Sequence, residues 1–122
     1  MQNRFEISFQ GDFIQVISDG EKDYRFQERL WNEVVAACQQ HDCHRILGIA
    51  HTTKPVEALE GFELVQVFRD LDLTHEYRIA WVEHNEDAKD IVDFIETVLL
   101  NRGLPGRAFD SEEEAREWLL GD

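Results

Sequence analysis

The amino-acid sequence predicts an α/β domain built on a mixed, mostly parallel sheet of about five strands, with an N-terminal hairpin and about four helices. Three observations predict it. Two stretches of alternating apolar and polar residues open the chain, short apolar runs then alternate with amphipathic segments, and no repeat or Gly/Ser/Pro linker divides the 122 residues. Because parallel strands need crossovers of helical length, this order favours helices packed on one sheet. We expect a single domain over residues 1–122.

The N-terminal segments RFEISF and DFIQVIS, joined by QGD, predict a β-hairpin because both alternate apolar and polar residues. Phe5, Ile7 and Phe9 would share one face of the first strand, and Phe13 would lie in the return strand. A helix is expected next, over 24–40, since apolar residues recur there at helical spacing. Its buried stripe would comprise Phe26, Leu30, Trp31, Val34, Val35 and Cys38.

The middle of the chain predicts two buried strands separated by a helix. HRILGIA (44–50) is a continuous apolar run, as is typical of a parallel strand covered on both faces. PVEALEGFELVQVFRDL (55–71) has a helical pattern, although Gly61 inside it costs about 1 kcal/mol relative to alanine. YRIAWVE (77–83) is the next strand.

The C-terminal third carries clear start and stop signals. Asn85 is a good N-cap for a helix to about Asn101, and Gly103 is placed to end that helix in the left-handed conformation. PGRAF then predicts a short last strand. SEEEAREWLL predicts a final helix that opens with a capping box of Ser111 and Glu114.

Charge and hydropathy exclude several function classes. The 26 acidic and 12 basic residues give a net charge of −14, which repels nucleic-acid phosphates and anionic headgroups. No apolar run approaches the roughly 20 residues that span a bilayer, and the opening MQNRFEISF is unlike a secretory signal. We expect a cytoplasmic protein with reduced cysteines, no nucleic-acid partner and no stable membrane insertion. Acidic residues of the last two helices, together with Glu83, would form either a negative face for a basic partner or, as is more usual, a solvated helix surface.

Two segments resemble the SpoIIAA-like branch of the STAS fold, a family of small stand-alone bacterial proteins. HEYRIAWVEHN (75–85) is similar to the family's strand with an Arg-Ile-Ala core, and NRGLPGRAFDSEEEAREWL (101–119) is similar to its closing strand and helix. Both segments consist of packing and capping residues, so they identify architecture. The resemblance implies a non-enzymatic regulatory or protein-interaction module, and a homodimer is compatible with it.

The segment GIAHTTKP contains the residues that the resemblance marks for regulation. Thr52 and Thr53 match the position where regulatory STAS proteins carry a phosphorylated serine or threonine. A phosphate adds roughly 1.5 to 2 negative charges, which Lys54 and a helix N-terminus could stabilise. The family pattern has an Asp and a Gly here, whereas this chain has His51 and Lys54. The alternative is that Thr53 caps the following helix.

The segment GIAHTTKP also suggests a small-ligand site, because it lies at the end of a predicted strand. Open α/β sheets bind ligands beyond the carboxyl ends of their strands. If the third and fourth strands are neighbours, their ends bring together His51, Thr52 and Lys54 with Glu83 and His84. STAS domains are also similar in shape to lipid-carrying CRAL-TRIO domains, which implies an apolar ligand under these loops. A small anionic ligand is the other possibility, and the alternative to any ligand is that these polar residues are ordinary loop surface.

Metal and catalytic interpretations have little support in the sequence. The four Cys and His residues of CQQHDCHR (38–45) have the wrong spacing for a closed zinc site. His51 and His84 could act as bases, but no nucleophile elbow, phosphate loop or paired-histidine motif accompanies them. We expect no metal, no cofactor and no enzymatic activity. The three tryptophans are interpreted as core or interface aromatics, at Trp31, Trp81 and Trp118.

Overall fold

A computed structural model describes residues 3–21, 23–53 and 58–121, with only the backbone of 58–61. In this described part of the chain, a five-stranded sheet and four α-helices make up the fold. The elements in chain order are β1 (Asn3–Phe9), β2 (Ile14–Gly20), α1 (Tyr24–His41), β3 (Arg45–Thr52), α2 (Ala58–Asp70), β4 (Arg78–Glu83), a 3-10 turn (Glu86–Ala88), α3 (Lys89–Asn101), β5 (Arg107–Phe109) and α4 (Glu112–Leu120).

The strands lie in the sheet in their chain order, β1-β2-β3-β4-β5. The first pair is antiparallel and the other three pairs are parallel, as the sequence predicts. Each crossover therefore moves one strand along in the same direction, and right-handed crossovers then place α1, α2 and α3 on one face. The last helix, α4, packs on the opposite face. Within the described residues no helix is long and apolar enough to cross a membrane.

The larger core lies between the sheet and the three crossover helices. Ile14, Val16, Ile46 and Ile79 point from the strands toward α1, α2 and α3. The stripe predicted for the first helix is fully buried, which confirms its spacing as a core face, and it comprises Phe26, Leu30, Trp31, Val34, Val35 and Cys38.

The smaller core lies under α4. Leu47 and Ile49 of β3 pack there with Ala80 and Val82 of β4, beneath the buried helix residues Ala115 and Leu119. The Ser111 side chain accepts a hydrogen bond from the Glu114 backbone N–H at 3.2 Å, so the predicted cap is present. The helix ends against Arg78, whose guanidinium donates to the carbonyls of Trp118 and Gly121, each at 2.7 Å.

Several predicted boundaries shift. The return strand begins at Ile14, because Gln10 N–H donates to Phe13 O and places Phe13 in the connecting loop, where it is nevertheless buried. The third strand extends two residues beyond the predicted end, to Thr52. The helix predicted from Asn85 opens with the 3-10 turn before α3. Gly103 adopts a φ of 67° at its C-terminus, as predicted.

Candidate functional site

The carboxyl ends of β3 and β4 lie side by side, as the ligand-site hypothesis requires. Ala50 is in register with Glu83, and the backbone N–H of His84 donates to Ala50 O at 2.9 Å. Five of the six predicted site residues are therefore at this edge of the sheet. The sixth, Lys54, lies outside the described residues.

The sheet divides the predicted cluster into two pairs on opposite faces. Side chains alternate along a strand, so Thr52 and Glu83 point toward the crossover helices while His51 and His84 point toward α4. The two imidazole rings stack with centroids 4.7 Å apart and planes at 13°. Nε2 of His84 also lies 3.1 Å from a carboxylate oxygen of Glu112 at the start of α4. Both rings are exposed, and they form a polar rim on the α4 side.

Thr52, Glu83 and Asn85 form a buried hydrogen-bond network on the other face. Glu83 is only 3% exposed, and its carboxylate accepts from the Thr52 hydroxyl, from Thr52 N–H at 3.0 Å and from Asn85 N–H at 3.1 Å. The Asn85 amide in turn donates to Thr52 O. These bonds tie the two strand ends together. The prediction that Glu83 belongs to an exposed acidic face is wrong, because its side chain lies on the core side of the strand.

The two candidate phosphorylation residues differ in access. Thr52 is 3% exposed and its hydroxyl is occupied by Glu83. Thr53 is exposed, and its backbone N–H donates to Gly20 O at 3.2 Å. The alternative role of Thr53 as a helix cap involves residues 54–57, which lie outside the described residues. Of this pair, Thr53 is the hydroxyl that an enzyme could reach.

A cavity of about 70 Å³ opens on the core side of this network. The sheet forms its floor, α1, α2 and α3 surround it, and Glu83 lies at its edge. Its wall is almost entirely apolar, and the main contributors are Trp31, Leu64, Phe68, Trp81, Ile95 and Leu99.

The aromatic wall depends on a glycine in β3. Gly48 is in register with Trp81, and a Cβ added to Gly48 would lie 2.0 Å from Cε3 of that indole. The missing side chain lets the Trp81 ring lie against the strand. Trp31 then packs beside Trp81 with centroids 5.7 Å apart, and meets Phe68 edge to face at 4.8 Å.

The polar groups around the cavity are mostly engaged with one another. Glu96 Oε2 accepts from Ala108 N–H at 2.7 Å and lies 3.8 Å from Nε of Arg107. In contrast, Nε1 of Trp31 is buried and has no hydrogen-bond partner in the part of the chain that the structure describes. The sequence interpretation of Trp31 and Trp81 as packing aromatics missed their position beside a cavity, because the apolar pattern of a strand or helix does not distinguish a filled core from a vacant one.

The cysteine and histidine segment at the C-terminal end of α1 is used for packing. Burial raises the pKa of the Cys38 thiol to about 12. His41 stacks on Phe9 with centroids 4.2 Å apart, and His44 contacts Tyr77 at 4.8 Å. Among the described residues, no three His, Cys, Asp or Glu side chains are grouped so that they could hold a metal ion.

Comparison with known proteins adds no assignment: no family model matches the chain, and no curated protein matches it.

Proposed function

We propose that the protein is a non-enzymatic binding protein for a small, mostly apolar molecule held between the sheet and the crossover helices. The observation that carries the proposal is the cavity walled by Trp31, Phe68 and Trp81. Protein interiors are packed closely, and a well-formed apolar cavity with a few polar groups at its edge is the usual form of a ligand site. An apolar cavity of about 150 Å³ holds benzene, so 70 Å³ has room for a molecule of about three or four non-hydrogen atoms.

The rim supports binding rather than catalysis. The Glu83 carboxylate is engaged by Thr52 and Asn85, which stiffens the strand ends above the cavity. His51 and His84, the two histidines considered as bases, lie on the other face of the sheet. A molecule in the cavity is therefore separated from both imidazoles by the sheet.

The resemblance to STAS proteins remains part of the proposal. An N-terminal hairpin leading into parallel strands with crossover helices is consistent with a SpoIIAA-like domain. The likeness of that fold to CRAL-TRIO carriers, which hold lipids, favours an apolar ligand. Two carboxylates, Glu83 and Glu96, border the cavity and would repel an anionic one.

Thermal unfolding with added probes tests the proposal. A ligand that binds only the native state raises the melting temperature according to its concentration and Kd. We expect short-chain alcohols or xenon, which are small enough for this cavity, to raise it. Ile95→Phe should abolish the rise because the larger side chain fills the cavity, whereas Phe94→Leu, an exposed position of the same helix, should leave it unchanged. Flat melting temperatures with every probe would remove the proposal.

A second candidate is the regulatory interaction module that the resemblance implies. The exposure of Thr53 next to the buried Thr52 favours it, because a kinase needs an accessible hydroxyl. Mass spectrometry of protein isolated from cells should then find phosphate on Thr53, and Thr53→Val should abolish the mass increase. A peptide containing both threonines that stays unmodified would contradict this function.

A further inference from the structure

The first strand is an open edge of the sheet. β1 lies at one end of the strand order, and within the described residues its only partner strand is β2. Proteins usually protect such an edge with proline, lysine or a bulge. β1 has none of these, since its sequence is NRFEISF and its register with β2 is continuous over all seven residues. The opposite edge strand, β5, has only three residues. β1 is therefore the edge that can accept another strand.

The hydrogen bonds of the hairpin determine which backbone groups this edge offers. Gln10 N–H donates to Phe13 O at 2.8 Å, directly beyond the last paired residues of the two strands. Backbone groups alternate in direction along an antiparallel strand, so the even-numbered residues of β1 bond to β2. The odd-numbered residues, among them Phe5 and Ile7, direct their N–H and C=O groups away from β2. A partner strand would bond to these residues.

The solvent face of β1 carries two charges of opposite sign. Phe5 and Ile7 pack against the core under α1, so Arg4 and Glu6 lie on the other face of the strand, where both are exposed. Nε of Arg4 lies 3.4 Å from a carboxylate oxygen of Asp19 on β2. Glu6 forms no ion pair in the described part of the chain. The edge thus has one cation and one anion available to a neighbouring strand.

These charges select one register for a second copy of β1. The outward backbone groups require odd-numbered residues to face odd-numbered ones. With Phe5 opposite its equivalent, Arg4 of each copy faces Glu6 of the other. A shift that sets Asn3 opposite Phe5 brings the two arginines together, and a shift that sets Phe5 opposite Ile7 brings the two glutamates together. Opposite charges stabilise a cross-strand pair and like charges destabilise it, most of all at non-hydrogen-bonded positions such as these, where side chains are closest.

We infer that the protein forms a symmetric homodimer in which two copies of β1 pair antiparallel, with Arg4 of each copy opposite Glu6 of the other. The second copy is the partner because the edge is complementary in charge to itself, as a twofold interface requires. The net charge of −14 opposes association at long range, but physiological salt screens charges beyond about 8 Å. The inference goes beyond the proposed function and does not depend on the cavity.

Concentration series on the unmodified protein test the dimer directly. Two short strands bury less surface than a standard interface, so we expect a weak dimer, visible by sedimentation equilibrium between about 10 µM and about 1 mM. Amide hydrogen exchange should slow with concentration at Phe5 and Ile7, whose N–H groups would become bonded. Exchange at Glu6, whose N–H already faces β2, should change little. This measurement needs no variant.

A charge exchange tests the register. Arg4→Glu and Glu6→Arg each set like charges opposite one another at both symmetry-related pairs. Each should weaken dimerisation at least about tenfold, which corresponds to about 1.4 kcal/mol. The double variant R4E/E6R restores opposite charges and should recover most of the affinity. Arg116→Glu, at an exposed position of α4, changes the net charge as Arg4→Glu does and should alter the affinity by less than about twofold.

Glu6→Arg separates pairing from net charge. It makes the acidic chain less negative, so an effect of net charge alone would strengthen association, whereas the cross-strand pairs predict a weaker dimer. A protein that stays monomeric at the highest concentration overturns the inference. So does a dimer that both single variants leave intact, or one that the double variant does not recover. Melting temperatures verify that each variant is folded, and none of these outcomes bears on ligand binding.

Discussion

Gly48 sets the distance between β3 and the Trp81 indole. A methyl group there would lie 2.0 Å from the ring, and Trp31 packs beside the same ring with centroids 5.7 Å apart. Forcing extra volume into a packed core typically costs 1–3 kcal/mol. We expect Gly48→Ala to lower the free energy of unfolding by about 2 kcal/mol in urea, and to weaken binding of any molecule that contacts Trp81.

The double variant Gly48→Ala with Trp81→Leu is the control. Replacing the indole removes the clash, so the glycine substitution should cost less in that background, and the difference measures the coupling. Equal costs in the two backgrounds would show that the contact with Trp81 does not set the requirement for glycine.

Thr52 and Thr53 are adjacent but differ in what their hydroxyls do. Thr52→Val keeps the shape and removes the donor to Glu83, so we expect a loss of about 1–3 kcal/mol in the free energy of unfolding. Thr53→Val, at an exposed position, should change it by less than about 0.5 kcal/mol. Urea unfolding of the matched pair checks this. Similar losses for both would contradict the buried network.

At the scale of secondary structure, Arg78 holds the end of α4 on the sheet, in addition to the buried apolar residues of that helix. Its guanidinium donates to two carbonyls at the end of α4, and it lies 4.4 Å from the centroid of the Trp118 ring. A charge-assisted hydrogen bond contributes about 1.5–3 kcal/mol to stability. Because the Arg78 bonds are only partly buried, we expect the loss of both together to cost about as much as one such bond. We expect Arg78→Ala to destabilise the protein by about 2–3 kcal/mol and to speed hydrogen exchange in α4 first.

Arg116→Ala is the matched control for that helix. Its ion pair with Glu112 spans 4.0 Å at the surface, so its removal should cost less than about 0.5 kcal/mol. If the two arginine variants lost equal stability, Arg78 would not anchor the helix.

The elements of this fold could be predicted because each has local signals. The α1 stripe, the Ser111 cap and the left-handed Gly103 depend on neighbours within one or two turns.

The site was only partly predictable. Adjacency of β3 and β4 followed from strand order, but the bonds from Thr52 to Glu83 depend on register, and that arises from packing across the sheet. The cavity depends on how three helices meet, which no local pattern encodes.

The pH dependence of stability belongs to the whole molecule, because a buried thiol responds to global unfolding. Burial raises the pKa of Cys38 from 9.0 to about 12. Between these values the unfolded chain has lost a proton that the native state keeps, so alkaline pH favours unfolding. We expect the free energy of unfolding to fall as pH rises above 9, by up to about 1.4 kcal/mol per pH unit.

Urea unfolding at pH 8, 9 and 10 with Cys38→Ala checks that dependence. The variant should be less stable at every pH but should lose most of the fall between pH 9 and 10. Above pH 10 the raised pKa values of Tyr24, beside Glu28, and of the partly buried Tyr77 add to the decline. An unchanged slope in Cys38→Ala would assign the fall to other groups.

The position of α4 on its own face of the sheet has a consequence for synthesis on the ribosome. The three crossover helices are synthesised between the strands and cover one face of the sheet. The other face is covered only by α4, the last helix described along the chain, and its apolar residues are Leu47, Ile49, Ala80 and Val82. A nascent chain in which β3 and β4 have paired but α4 is not yet synthesised therefore exposes a hydrophobic surface of the kind that chaperones recognise. Stalled translation before residue 112 would leave that surface bare.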